Sequence, residues 1–89
     1  MQFEWDEAKR ASNLAKHGID FLSAVELFDG RPAVTFHSTY PDEERFITTG
    51  IIRDRFVTVV WTRRGEAIRI ISARRARDAE RRAYRALYN

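Results

Sequence analysis

From Pro32 onward the chain takes on the two-residue period of β-strands and holds it almost to Ser72. The segments "AVTFH", "RFITTGII", "RFVTVVWT" and "AIRIIS" are rich in β-branched and aromatic side chains, which suit a pleated, half-buried surface. Between them stand the polar loop "STYPDEE", then "RD", then "RRGE". None of these connections is long enough to carry a crossover helix. Four strands in succession are therefore expected to form an antiparallel meander. One register stays open at Arg64-Gly65. A type I turn with Gly65 as a left-handed bulge places Val59 and Trp61 opposite Arg69; a two-residue turn places Thr58 and Thr62 there instead.

The segments on either side of the meander are helical. "QFEW" alternates and is expected to be a short strand, and Asp6 after it is a good N-cap. Ala8, Ala11, Leu14 and Ala15 then recur at helical spacing, and His17-Gly18 ends that helix. Asp20 caps a second helix, Phe21 to Phe28, with an apolar stripe of Phe21, Leu22, Val25 and Phe28. "DGRP" is a turn. The last segment, about Asp78 to Tyr88, carries Ala79, Ala83 and Leu87 on one stripe and is expected to pack through it. The expected order is β-α-α-β-β-β-β-α in a single α+β domain spanning residues 1–89, an antiparallel sheet packed with helices.

The 89 residues contain no cysteine, which excludes a disulfide framework, a thiolate nucleophile and a Cys-based metal site. No stretch resembles a signal peptide or a membrane span, so a soluble cytoplasmic protein is expected, with no membrane contact. The net charge of +3 conceals a gradient. Met1 to Thr62 holds 7 Lys/Arg against 10 Asp/Glu, whereas Arg63 to Asn89 holds 9 Arg against 3 acids. A basic end of this kind points to an anionic partner, nucleic acid being the commonest for such a segment. Glycine-rich phosphate loops, a serine nucleophile elbow and zinc signatures are absent. Two isolated histidines and the acidic run Asp42, Glu43, Glu44 make a poor metal site, so neither metal nor cofactor is expected.

Several stretches, taken in order, resemble the BrnT family. They are "FEWDEAK" (Phe3 to Lys9), Asn13 with "KHGIDF" (Lys16 to Phe21), "ERF" (Glu44 to Phe46), and "IRIISARRA" (Ile68 to Ala76) followed by Glu80, Arg81 and Tyr84. The resemblance covers nearly the whole chain. It implies a RelE-like fold and the toxin half of a type II toxin-antitoxin pair, a ribonuclease that blocks translation. It also implies neutralisation by a BrnA-like ribbon-helix-helix antitoxin, which would bring two toxins into a heterotetramer and supply the only DNA contacts. One departure is visible: Arg77 stands where the family often has a Thr capping the last helix, a loss of about 1 kcal/mol.

RNA is cut when its own 2′-hydroxyl attacks the neighbouring phosphate, given alignment, proton removal, charge stabilisation and protonation of the 5′ oxygen. Arginine suits the charge stabilisation, since its planar fork donates two hydrogen bonds to phosphate oxygens. Histidine suits proton transfer. Arg69, Arg74, Tyr84, His17 and Glu44 are the candidate catalytic residues, and Lys16, Arg63, Arg75, Arg77 and Arg81 the candidate RNA-binding ones. Three of them also have a structural explanation: Arg69 paired with Glu44 or another acid, His17 as a helix-ending residue, Tyr84 as a packing residue. A different class of function, a noncatalytic nucleic-acid-binding module, would use the same basic face and bind RNA without cutting it.

Overall fold

The computed structural model describes residues 1–88, and for Tyr40 the backbone alone. The chain forms β1 (Gln2–Glu4), α1 (Glu7–His17), α2 (Phe21–Ala24) running into a 3-10 turn (Val25–Phe28), β2 (Ala33–Tyr40), β3 (Glu43–Ile52), β4 (Arg55–Arg64), β5 (Ala67–Arg75) and α3 (Asp78–Tyr88). It is a small α+β domain with three helices and one five-stranded sheet, ordered β1-β5-β4-β3-β2. Strands β2 to β5 make the antiparallel meander. β1 departs from the expected all-antiparallel sheet: it lies parallel to β5, pairing Phe3 with Ile68 and Glu4 with Arg69. The sheet is therefore mixed. The long stretch from β1 through the helices and the meander allows the chain to return to β5 in the same direction.

One turn differs from expectation, and a second settles the register left open. "STYPDEE" is not a loop: β2 and β3 run through it and leave only Pro41 and Asp42 in the turn. At the β4–β5 hairpin Arg64 pairs with Ala67 and Gly65 takes φ +60°. This is the two-residue turn, and it sets Thr62 opposite Arg69. A bulge does occur further along, where Trp61 pairs with Ile70 but Val60 with Ser72, leaving Ile71 as an extra residue. The β3–β4 turn uses Arg53 and Asp54, both at positive φ.

The helices before the meander cover one face of the sheet. Beneath them Ile19, Phe21, Ala24 and Leu27 pack against Ile52, Val57, Val59, Trp61, Ile68, Ile70 and Ala73. Trp61 Nε1 donates to the Thr48 hydroxyl (2.8 Å), which also bonds Thr35. Gly50 is needed where the 3-10 turn crosses β3, because a Cβ there would lie 2.7 Å from Leu27 Cδ2.

On the other face α3 lies over one end only. It covers the buried pair Thr49 and Thr58, whose hydroxyls bond each other at 2.7 Å. Its contacts come from Glu80, Tyr84 and Tyr88, not from the expected Ala79–Ala83–Leu87 stripe: Ala79 is exposed and Leu87 is 67% exposed. The sheet offers hydroxyls at this end, so the helix turns its polar side inward. The rest of this face stays open. Across it the register sets Phe36, Ile47, Val60 and Ser72 in one row and Ser38, Arg45, Thr62, Arg69 and Glu4 in the next.

Candidate functional site

β1 pairs with β5 only as far as Arg69. Beyond it, a side chain takes the place of a neighbouring strand. Asn13 of α1 donates from Nδ2 to the Ala73 carbonyl (2.8 Å) and accepts from the Ala73 N–H (3.2 Å), as a β-partner would. Its second Nδ2 proton goes to the Ile19 carbonyl (3.0 Å), so one buried amide ties α1, the following loop and β5 together. Between the end of β1 and Asn13 lie the bulged Ile71 and Ser72. A cleft of about 220 Å³ opens there, lined by Lys9, Ser12, Lys16 and His17 of α1 and by Ile71 and Ser72 of β5.

The lining of this cleft is cationic and hydroxylic, with no carboxylate in it. His17 is half-buried at the end of α1, where Gly18 takes φ +71° and its N–H caps the Leu14 carbonyl. The loop beyond is braced by Asp20, which accepts from Arg10 Nε (2.8 Å) and Nη2 (3.0 Å) and from the Leu22 N–H. The Arg10 guanidinium, and then the Leu22 N–H, hold the Asp20 carboxyl below its ordinary range. The end of α1 is fixed, and with it the position of His17.

Arg74 follows on the open face, opposite Thr58. It is spoken for: Nη1 and Nη2 each reach a Glu80 oxygen at 2.8 Å. Glu80 also accepts from the Thr58 hydroxyl (3.0 Å) and the Arg77 N–H (2.8 Å). The Arg74 fork, foremost among these partners, pulls the Glu80 carboxyl down to about 2. The bond to the Arg77 N–H is the glutamate half of a capping box, which replaces part of the cap that Arg77 cannot supply. Arg74 thus holds α3 on the sheet.

The remaining candidates scatter. Arg69, on the open face, pairs with Glu4 at 2.7 Å, the neighbour β1 gives it, and not with Glu44. Glu44 lies on the opposite, helix-covered face, where its carboxylate approaches His37 at 3.7 Å. Arg63 is on that face too, over the Trp61 ring. Tyr84 packs edge-on against Phe56 and beside Tyr88. Arg81 turns back to the Ala76 carbonyl and Asp78. Arg75 and Arg77 are exposed. The structure gathers Lys16 and His17 with Ser72, and sets Arg69 on the same open sheet face as Ser72; it does not bring Glu44 or Arg63 to them. Lys9 and Ser12 were missed, although their spacing to Lys16 marks one stripe of α1.

The family model for "Ribonuclease toxin, BrnT, of type II toxin-antitoxin system" matches residues 5–80. The chain belongs to the BrnT family. It is accordingly a type II toxin-antitoxin toxin with ribonuclease activity, with an RNA target and an antitoxin partner. No curated protein sequence matches the chain. The BrnT match takes in α1, the whole meander and the start of α3 up to Glu80. It therefore spans both the α1–β5 cleft and the Arg74–Glu80 clamp. No helix among the described residues is long and apolar enough to cross a membrane.

Proposed function

We propose that this chain is a metal-independent endoribonuclease that inhibits translation in the cytoplasm, cutting RNA in the cleft between α1 and the β5 bulge. A BrnA-like ribbon-helix-helix antitoxin neutralises it within a heterotetramer and makes the DNA contacts. The carrying observation is the cleft's lining, where Lys9, Lys16, His17 and Ser72 converge without a carboxylate. Such a lining attracts a phosphodiester and repels none of its charge.

In this reading the scissile phosphate sits between the two lysines, whose ammonium groups stabilise the charge that develops as the 2′-oxygen attacks. His17 exchanges the proton, taking it from the 2′-hydroxyl or giving one to the departing 5′ oxygen. Ser72 donates a hydrogen bond to a phosphate oxygen. Arg69 and the Phe36–Ile47–Val60 row extend the surface along which the strand lies, the apolar row accepting bases by contact. Arg74 acts through α3 as a positioning residue. Glu44 and Arg63, on the far face, take no part.

The test is cleavage of a labelled RNA by His17→Ala and Lys16→Ala. His17→Ala is expected to lower kcat by about 10²-fold or more with little change in binding. Lys16→Ala should lower both RNA affinity and kcat, because its ammonium meets the phosphate before and during the attack. Full activity in a His17→Ala variant would remove the cleft from the chemistry. RNA binding by the wild type without any product would replace this reading with the noncatalytic module.

A further inference from the structure

A second and larger hollow, about 340 Å³, lies on the other side of the α1 terminus. Gly18, Asp20 and Ser23 line it on one side, and Arg53, Arg55 and Val57 of the β3–β4 hairpin on the other. Two of the carboxylates near it are already engaged. Asp20 is held by Arg10, and Glu26 by Arg53 (2.8 Å) and Arg31 (3.6 Å). Arg55 has no charged or hydrogen-bonding side-chain partner among the described residues, and neither has Arg75. These two stand on one face of the sheet: Arg75 pairs with Val57 across β4 and β5, and Arg55 precedes Val57 by two residues. Like charges on neighbouring strands repel, and an anion between them reverses the sign of that term.

The hairpin carrying Arg53 and Arg55 is held in a set shape. Arg53 has φ +49° and Asp54 φ +66°, a conformation side chains rarely adopt, and Arg53 is pinned to Glu26. The two hollows share one corner, since His17 lines the first and Gly18 the second. On the strand side of that corner β5 ends in Arg75. A phosphate backbone carried from the first cleft around this corner would run toward Arg75 and Arg55.

We infer that the second hollow is an anchoring subsite for a phosphate of the same single-stranded RNA, remote from the bond that is cut, with Arg55 of its lining as one cation and Arg75, which stands outside the lining beside Val57 on the same sheet face, as the other. This rests on the ribonuclease reading for what occupies the first cleft. Its ligand is the sugar-phosphate backbone, so the subsite adds affinity without base preference. It makes the protein favour RNA long enough to span both hollows.

Binding of 2′-O-methyl oligonucleotides, which cannot undergo 2′-oxygen attack, tests the subsite independently of cleavage. Wild type and an Arg55→Ala/Arg75→Ala double variant, checked by circular dichroism, are titrated by fluorescence anisotropy with oligonucleotides of about four and about twelve nucleotides, lengths below and above the span of the two hollows. The expected result is an affinity for the longer probe lowered about tenfold or more, an unchanged affinity for the shorter, and a salt dependence shallower by roughly one logarithmic unit. Equal affinities of variant and wild type for the longer probe would overturn the subsite. So would an unchanged RNA affinity accompanied by loss of antitoxin binding, which would make this a protein-docking surface. Length-dependent binding in a wild type that never cuts RNA would keep the subsite and remove only the catalytic reading.

Discussion

Glu80 accepts hydrogen bonds from β4, β5 and its own helix start, through Thr58, Arg74 and the Arg77 N–H. Its carboxyl falls from an ordinary 4.5 to about 2. Because the folded value lies below the unfolded one, the stabilisation is complete above pH 4.5 and is lost as pH falls toward 2. At 14% side-chain exposure this corresponds to about 3 kcal/mol. Glu80→Gln should therefore lose about 2–3 kcal/mol at pH 7 in urea titrations, and the gap from wild type should shrink between pH 4.5 and 2; a gap independent of pH would contradict the clamp. Asn13 carries a comparable duty. Asn13→Asp keeps the shape but cannot donate to Ala73 and Ile19, and should lower stability by about 3 kcal/mol or more at neutral pH. The residues themselves stood out in the sequence, but their partners, Ala73 and Thr58, lie too far along the chain for spacing to reveal them.

Element by element, the caps and the meander were legible because their signals are local: Asp6, Gly18 and Asp20 sit where the helices start and stop. The bulge at Ile71 was not. "IRIIS" alternates only through Ile70, and the doublet Ile70-Ile71 that breaks the period reads equally well as the end of the strand or as an extra residue within it. That slip is what turns Ser72 to the open face of the sheet, beside Val60. The inward face of α3 was misjudged for a related reason: a stripe of Ala79, Ala83 and Leu87 predicts packing only against an apolar floor, and the floor here is Thr49 and Thr58. At the opposite face the 3-10 turn seats Leu27 against β3 without room for one more methyl group. Gly50→Ala, whose Cβ would meet Leu27 Cδ2 at 2.7 Å and the Pro32 carbonyl at 3.2 Å, is expected to cost about 1–3 kcal/mol. Chemical denaturation at or above the wild-type midpoint would show that the turn yields instead.

For the whole molecule, the arginine-rich ending seen in the sequence does not line the cleft. Arg74, Arg81 and Arg85 hold the fold together through Glu80, the start of α3 and the Phe56 ring. The cations turned to the cleft come instead from the acidic half of the chain, as Lys9 and Lys16. Composition located the charge, and only the three-dimensional arrangement showed the candidate site. If the antitoxin covers this cleft, its association rate should fall as ionic strength rises; stopped-flow rates indifferent to salt would place it elsewhere. The proposed cutting of RNA in the cleft needs no metal. The most direct measurement is cleavage of a labelled RNA in excess EDTA by the wild type and by His17→Ala, both shown folded by circular dichroism. The wild type should cut, and the variant should be slower by about 10²-fold or more; cutting abolished by EDTA, or equal in both proteins, would rule out metal-independent chemistry at His17.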